Sequence, residues 1–298
     1  MNETLDGRTA AALAASVEAP VRRFAARLAE AAETRAVLFY GSNLRTGSLE
    51  GVLDFYVLLD GPIESGIWPR VSYHEWDTGE QVLRTKVATM TLATFRAAAA
   101  GELLDTTIWA RFVQPAALVW SRDAEAAQAT VEAIAGAAIT AGRLAVALGP
   151  EQASAEDYWR GLFRATYAAE FRVEKAGREE SILAANRDHF SGLLPLALAA
   201  GGIDFSQSGA FLHPRLPQGE RARLHRWWRK RQRLGKPYNF VRLLRASTTF
   251  EGAARYAAWK IERHTGVPVP LTPWRERHPV LAAPGVLWRV WRARRAQS

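Results

Sequence analysis

Two short segments carry the residue types that handle phosphate. Phe39-Tyr40-Gly41-Ser42 closes an apolar run, and eleven residues separate Ser42 from Asp54, which leads Asp54-Phe55-Tyr56-Val57. Glycine lets a backbone approach a triphosphate closely. The Ser42 hydroxyl and its neighbouring N–H groups can donate to phosphate oxygens. A carboxylate on the next strand can hold Mg²⁺, which bridges phosphates and stabilises an in-line displacement. Asp60 falls on the same strand face as Asp54, but six residues at ~3.3 Å each put it about 20 Å away. The next strands offer Glu75, Asp77 and Glu80 as partners for Asp54.

These residues need elements to position them. Residues 8–33 are alanine-rich with apolar side chains at spacings of three and four, a pattern that predicts one helix, or two broken at Pro20. Residues 36–40 and 52–59 read as strands, and Asp60-Gly61-Pro62 reads as a turn. Residues 71–90 hold two further strands turning at Thr78-Gly79, residues 92–100 a helix and residues 115–120 a short strand. From 121 to 200 the pattern is helical, with long helices over 124–148 and 156–175. Gly201-Gly202 and residues 207–219 break it. The rest is basic and helical, with breaks expected at Gly235, Pro237 and 268–273. The expected fold class is α/β (α+β): a domain over 1–122, a helical domain over 123–220 and a basic, Trp-rich region over 221–298.

The glycine-serine corner followed by an acidic strand resembles the nucleotidyltransferase superfamily that includes polymerase β. Most of those enzymes carry Asp-x-Asp or Asp-x-Glu on the second strand; here the second position is Tyr56. One branch departs similarly, and the sequence resembles it: the mitochondrial translocator-maintenance family of phosphatidate cytidylyltransferases. Tyr40-Gly41-Ser42 and Leu53-Asp54-Phe55-Tyr56-Val57-Leu58-Leu59-Asp60 match its pattern. Arg84-Thr85-Lys86 resembles its Lys-Tyr-Gly-Val stretch, with Val87-Ala88 replacing Tyr-Gly. Ala110-Arg111-Phe112-Val113-Gln114-Pro115 resembles its Gly-Arg-x-x-Lys-Pro, with Gln114 at the lysine. Ser247 to Gly252, then Tyr256 and Lys260, resembles its C-terminal segment. The resemblance implies a polymerase β-like domain over 1–122 that transfers CMP from CTP to phosphatidic acid with Mg²⁺. It implies Asp54 and Lys86 as catalytic residues, Asp54 as metal ligand, and Tyr40, Gly41, Ser42 and Arg111 as nucleotide-binding residues. A peripheral membrane protein is implied, on the inner face of the membrane in the cytoplasm.

Composition bears on the partner independently. The 298 residues hold 39 Lys/Arg against 30 Asp/Glu, a net charge of +9. Residues 221–298 hold nineteen Lys/Arg and three Glu, a net of +16, so the first 220 residues carry −7. The same segment holds Trp227, Trp228, Trp259, Trp274, Trp288 and Trp291, six of eleven tryptophans. Tryptophan beside arginine suits an anionic membrane surface, where each charge contributes about 1 kcal/mol. Nucleic acid is not the expected partner, because the basic segment 221–233 comes with no recognised reader fold. The absence of cysteine excludes disulfide frameworks, zinc ribbons and thiol nucleophiles. The six histidines lack metal-ligand spacing. No apolar run is expected to reach the ~20 residues that a membrane-spanning helix needs. Glu3 and Asp6 precede the first arginine, unlike a secretory signal or transit peptide, so an intracellular, soluble protein is expected. A last cluster, Tyr158, Arg164, Tyr167, Glu170, Arg172 and Glu174 with Arg178 and Arg187, is a further candidate lining for a phosphate or nucleotide cleft.

Overall fold

The short apolar runs become strands of one mixed sheet, and the alanine-rich runs become the helices that cover it. The computed structural model describes residues 3–30, 33–66, 70–169, 177–249 and 252–297. The chain begins α1 (Leu5–Leu13), α2 (Ala19–Ala29), β1 (Thr34–Tyr40), α3 (Ser42–Thr46), β2 (Val52–Leu59), β3 (Arg70–Asp77) and β4 (Val82–Thr91). It continues α4 (Leu92–Ala99), α5 (Thr107–Phe112), β5 (Ala116–Ser121), α6 (Ala124–Leu148), β6 (Ala153–Ser154) and α7 (Ala155–Ala169). Then come α8 (Arg178–Ala185), α9 (Arg187–Ala200), β7 (Phe205–Ser208), β8 (Phe211–Pro214) and α10 (Gln218–Thr249). It ends with α11 (Ala253–Thr265), α12 (Pro273–Arg277) and α13 (Pro279–Gln297).

The main sheet has the order β3-β4-β2-β1-β5, and β6, β8 and β7 form a second, small sheet. Among the described residues of the main sheet, only the β2–β4 pairing is parallel. Alternation along β1 and β2 divides two cores. Val37, Phe39, Leu53, Phe55 and Val57 pack with Val21, Phe24 and Ala25 of α2. Leu38, Tyr56 and Leu58 face the other way, into the larger core built with α4, α5 and α6. The helical N-terminus is two helices, and Pro20 lies in the first turn of α2, where its missing N–H costs nothing.

Two further expectations need correction. α6 is long and apolar enough to cross a membrane: an 18-residue stretch of it has mean hydropathy 1.6, and 67% of that stretch is buried inside the protein. Its alanines make a narrow cylinder that α1, α4, α5, α7 and α9 approach closely. α10 runs unbroken through Gly235 and Pro237. A β-carbon at residue 235 would lie 2.6 Å from the Ala169 carbonyl oxygen, so the glycine there serves helix packing and does not end the helix.

The basic C-terminal region is docked on the rest of the chain along α10. Trp228 is buried, and its ring lies 6.3 Å from Trp109 of α5. Trp227 donates through Nε1 to the Gly101 carbonyl, 3.2 Å away. Arg231 is 5% exposed and donates to the carbonyls of Gly101 (2.7 Å) and Leu103 (2.6 Å), with its guanidinium 3.5 Å from the Trp227 ring centre. Burial lowers its pKa to about 10. Arg231→Ala would leave two carbonyls without that donor and remove the plane stacked on Trp227. A loss of about 2–4 kcal/mol in unfolding free energy is expected by urea denaturation. Arg229→Ala, at an exposed neighbouring position, should change it by less than about 0.5 kcal/mol.

Candidate active site

Strand register sets one polar row on the face that otherwise carries the larger core. Ala116 pairs with Tyr40, Tyr40 with Asp54, Asp54 with Lys86, and Lys86 with Tyr73, across all five strands. Directly opposed residues project to one face. One row further in, Leu38, Tyr56 and Ala88 belong to the core. The polar row therefore begins where the apolar packing stops.

The corner after β1 meets this row at Asp54. Gly41 has φ 94° and ψ −160°, a region essentially restricted to glycine. A β-carbon on Gly41 would lie 3.4 Å from Asp54 Oδ2, so the carboxylate faces the corner. Ser42 is exposed and starts α3. The buried Asn43 beside it donates to the carbonyls of Ser48 and Glu50, both at 2.8 Å, and so closes the loop leading into β2. Asn43 is not among the residues expected from sequence; its place just after Gly-Ser, at the start of a glycine-flanked loop, is the signal it offers.

The electrostatics of the row are strongly coupled. Burial raises the Asp54 pKa above the usual carboxylate value, and the charges of Lys86 and Arg111 pull against it. Burial lowers the Lys86 pKa; Asp54 opposes that, while Arg111, Arg242 and Lys260 add to it. Burial also holds the Tyr40 phenol well above its ordinary value. Arg111 reaches the row from α5, its guanidinium 5.3 Å from the Tyr40 ring centre, and it donates to the Tyr56 hydroxyl at 3.2 Å. Tyr56 stands where the second acid of a typical Asp-x-Asp would be, and it is fully buried. Its ring packs on Phe112 at 5.2 Å. A carboxylate there would face an aromatic cluster, whereas tyrosine fills the space and gives Arg111 an acceptor.

The acids offered by the following strands do not converge on Asp54. Glu75 shares its face but lies two strands over and two residues further along, about 10 Å away laterally. It accepts from the Tyr73 hydroxyl at 2.8 Å and pairs with Arg84 at 3.4 Å. Asp77 caps the turn by accepting from the Gly79 N–H, and Glu80 is exposed in that turn. Asp60 pairs at the surface with Arg35 and Arg122.

The C-terminal helices complete the surroundings of the row. Gly252, just before α11, approaches β3 so closely that a β-carbon there would lie 2.6 Å from the Tyr73 carbonyl oxygen. The Tyr256 ring lies 5.4 Å from that of Tyr73, and Lys260 sits 5.7 Å from the Tyr256 ring centre. Trp259 stands between Arg84 and Arg263, at 5.5 and 5.3 Å. Arg263 in turn lies against Gly51, at the end of the loop that begins at the glycine-serine corner. α11 thus runs from the β3 edge to the Gly51 loop.

In the second polar cluster, Tyr158, Arg164 and Arg187 make contacts within the helical region. The Tyr158 hydroxyl donates to the Pro150 carbonyl, Arg164 pairs with Glu179 and Glu180, and Arg187 approaches Glu156 at 3.9 Å. Glu170, Arg172 and Glu174 lie outside the described residues. Among the described residues no group of three or more His, Cys, Asp or Glu side chains is gathered as a metal site. Mg²⁺ is commonly held by one or two carboxylates with phosphate and water oxygens as its other ligands. Asp54, turned toward a glycine corner, fits the one-carboxylate form of that arrangement. No protein-family model matches the chain, and no curated protein matches it.

Proposed function

We propose that the chain is a nucleotidyltransferase that moves CMP from CTP to phosphatidic acid, giving CDP-diacylglycerol and pyrophosphate. The observation that carries this reading is the Asp54 carboxylate aimed at Gly41, with Lys86 beside it and Arg111 over Tyr40. In this reading Asp54 holds Mg²⁺, which when bound offsets triphosphate charge and acts as a Lewis acid. Gly41 and Ser42 seat the phosphates. Lys86 and Arg111 offset the repulsion between a triphosphate and an anionic acceptor. A phosphate acceptor is already ionised near neutral pH and needs no strong general base, in keeping with a row that carries no histidine. The test is pyrophosphate release from CTP with phosphatidic acid in detergent, run beside ATP and beside other lipid and sugar phosphates. Release confined to a different acceptor would redirect the reading, and no release with any of them would end it.

Among the described residues no second acid converges on Asp54, which favours one other reading, a protein that keeps the fold and binds an anionic membrane or nucleic acid without chemistry. Titration calorimetry with Mg·CTP separates the two. Binding that depends on Asp54 supports the enzyme; no binding, unchanged in Asp54→Ala, supports the alternative.

The membrane proposal concerns α13. Leu281, Trp288 and Trp291 are 69%, 60% and 51% exposed, and Arg292 and Arg295 lie over the two tryptophans at 5.4 and 4.1 Å. Such a helix suits an interface where rings sit at headgroup level and cations meet phosphate. In liposome flotation, Trp288→Ala/Trp291→Ala is expected to weaken binding to anionic vesicles by about tenfold or more, at two large apolar side chains lost from the interface. Binding that ignores lipid charge or these residues would remove the proposal.

A further inference from the structure

We infer that Arg242 of α10, steered by the buried carboxylate of Asp105, binds phosphate in the Asp54–Lys86 site, so that the C-terminal region is part of that site. The inference rests on the reading of the row as a phosphate-handling centre, and its first support is a chain of contacts. Asp105 is 4% exposed. Its Oδ1 accepts from the Thr107 N–H and hydroxyl, both at 2.8 Å, which fixes the first turn of α5. Its Oδ2 accepts from Arg242 Nη1 at 2.9 Å, and the same Nη1 approaches the Thr107 hydroxyl at 3.3 Å. One carboxylate therefore orients two cations: Arg111 through the start of its helix, and Arg242 directly.

The second support is where Arg242 sits. Thr107, which it touches, lies one helical turn before Arg111, whose guanidinium is 5.3 Å from the Tyr40 ring centre. From there the Arg242 charge acts on Tyr40 and Lys86 of the row. Arg231, on the same helix, gives the contrast. It is 5% exposed and bonds two backbone carbonyls, as a structural arginine does. The Arg242 side chain keeps 21% of its surface exposed while bonding a carboxylate of 2% exposure. The third support is charge balance. Arg111, Arg242 and Lys260 all act on Lys86, and among the described residues Asp54 and Asp105 are the carboxylates that face these cations. Cations gathered in excess over acids at a half-buried position repel one another until an anion joins them. The planar guanidinium fork is well matched to phosphate oxygens.

The experiment is calorimetric titration of the full chain with inorganic tripolyphosphate in the presence of Mg²⁺, with thermal melts of every variant. Arg242→Gln is expected to weaken binding by about ten- to a hundredfold, the range for loss of a charge-assisted hydrogen bond. Arg242→Lys keeps the charge without the fork and should fall between. Combining Asp105→Asn with Arg242→Gln should weaken binding by less than the product of the single effects, because the two side chains act as one unit. A folded Arg242→Gln with wild-type affinity overturns the inference and leaves the proposed function standing. Should Arg242→Gln not fold, Arg242→Lys decides: intermediate affinity supports the inference and wild-type affinity overturns it. A wild-type chain that binds no tripolyphosphate overturns both readings together.

Discussion

Asp54→Asn should lower pyrophosphate release by on the order of a thousandfold while raising the melting temperature, two changes in opposite directions from one atom exchanged. A carboxylate that holds the metal of a phosphoryl-type displacement contributes several kcal/mol to the transition state, and each 1.36 kcal/mol is about a factor of ten in rate. The amide keeps the shape facing Gly41 but loses the charge. The same charge weighs against folding. Burial raises the Asp54 pKa in the folded protein, and Lys86 and Arg111 only partly offset it. The sign of the pH dependence follows. Below its unfolded pKa the acid is protonated in both states and adds nothing. As pH rises through the folded pKa, the folded chain must bury a charge the unfolded chain solvates freely, and stability falls. Asparagine lacks that ionisation, so the gap in melting temperature should open as pH rises above the ordinary carboxylate range and stay constant once the folded carboxylate is ionised. An unchanged rate would remove Asp54 from the chemistry; a gap that closes with rising pH would contradict its electrostatic placement.

The part of this site that lies in one stretch of chain was legible in sequence; the part made by pairing and docking was not. The runs 36–40 and 52–59 have too little polar interruption for anything but buried strands, and Gly41-Ser42 marks the turn between them. That Asp54 lies beside Lys86 depends on a parallel register between β2 and β4, with β3 in between in sequence but at the sheet edge in space. No local pattern encodes that. Tyr56 looked like a lost acid because Asp-x-Asp places two side chains on one face; what the sequence does not display is that this face turns apolar one row inward. The C-terminal region misleads for a different reason. Its arginines suggest solvent and headgroups, yet Trp227, Arg231, Tyr238 and Arg242 recur at separations of four, seven and four, one stripe of a helix. Arg231 and Trp227 anchor that stripe on the carbonyls at residues 101 and 103. The same segment thus has two faces: α10 and α11 turned inward toward the row, and Trp274, Trp288 and Trp291 of α12 and α13 turned outward.

Gly41→Ala should cost about 1–3 kcal/mol of stability, the usual penalty for a side chain in a backbone region that glycine alone occupies readily. Space is not the obstacle. The added carbon would meet Asp54 Oδ2 at 3.4 Å, an ordinary contact distance. The obstacle is φ 94° with ψ −160°, from which alanine escapes by rotating the peptide that joins β1 to α3. That rotation turns the Ser42 N–H and swings the start of the loop that Asn43 holds shut through Ser48 and Glu50. The damage should therefore appear in catalysis before it appears in folding. Activity is expected to fall by about a hundredfold, as for misplacement of a positioned group by about 1 Å. The affinity for Mg·CTP should fall with it, since in the proposed function the corner seats the phosphates. Thermal melts and pyrophosphate release on the same preparation separate the two effects. A variant that loses stability but releases pyrophosphate at the wild-type rate would mean that this corner shapes the strand connection and nothing more. Asp54 would then face a turn without a substrate, and its charge would need another reason to be kept among cations.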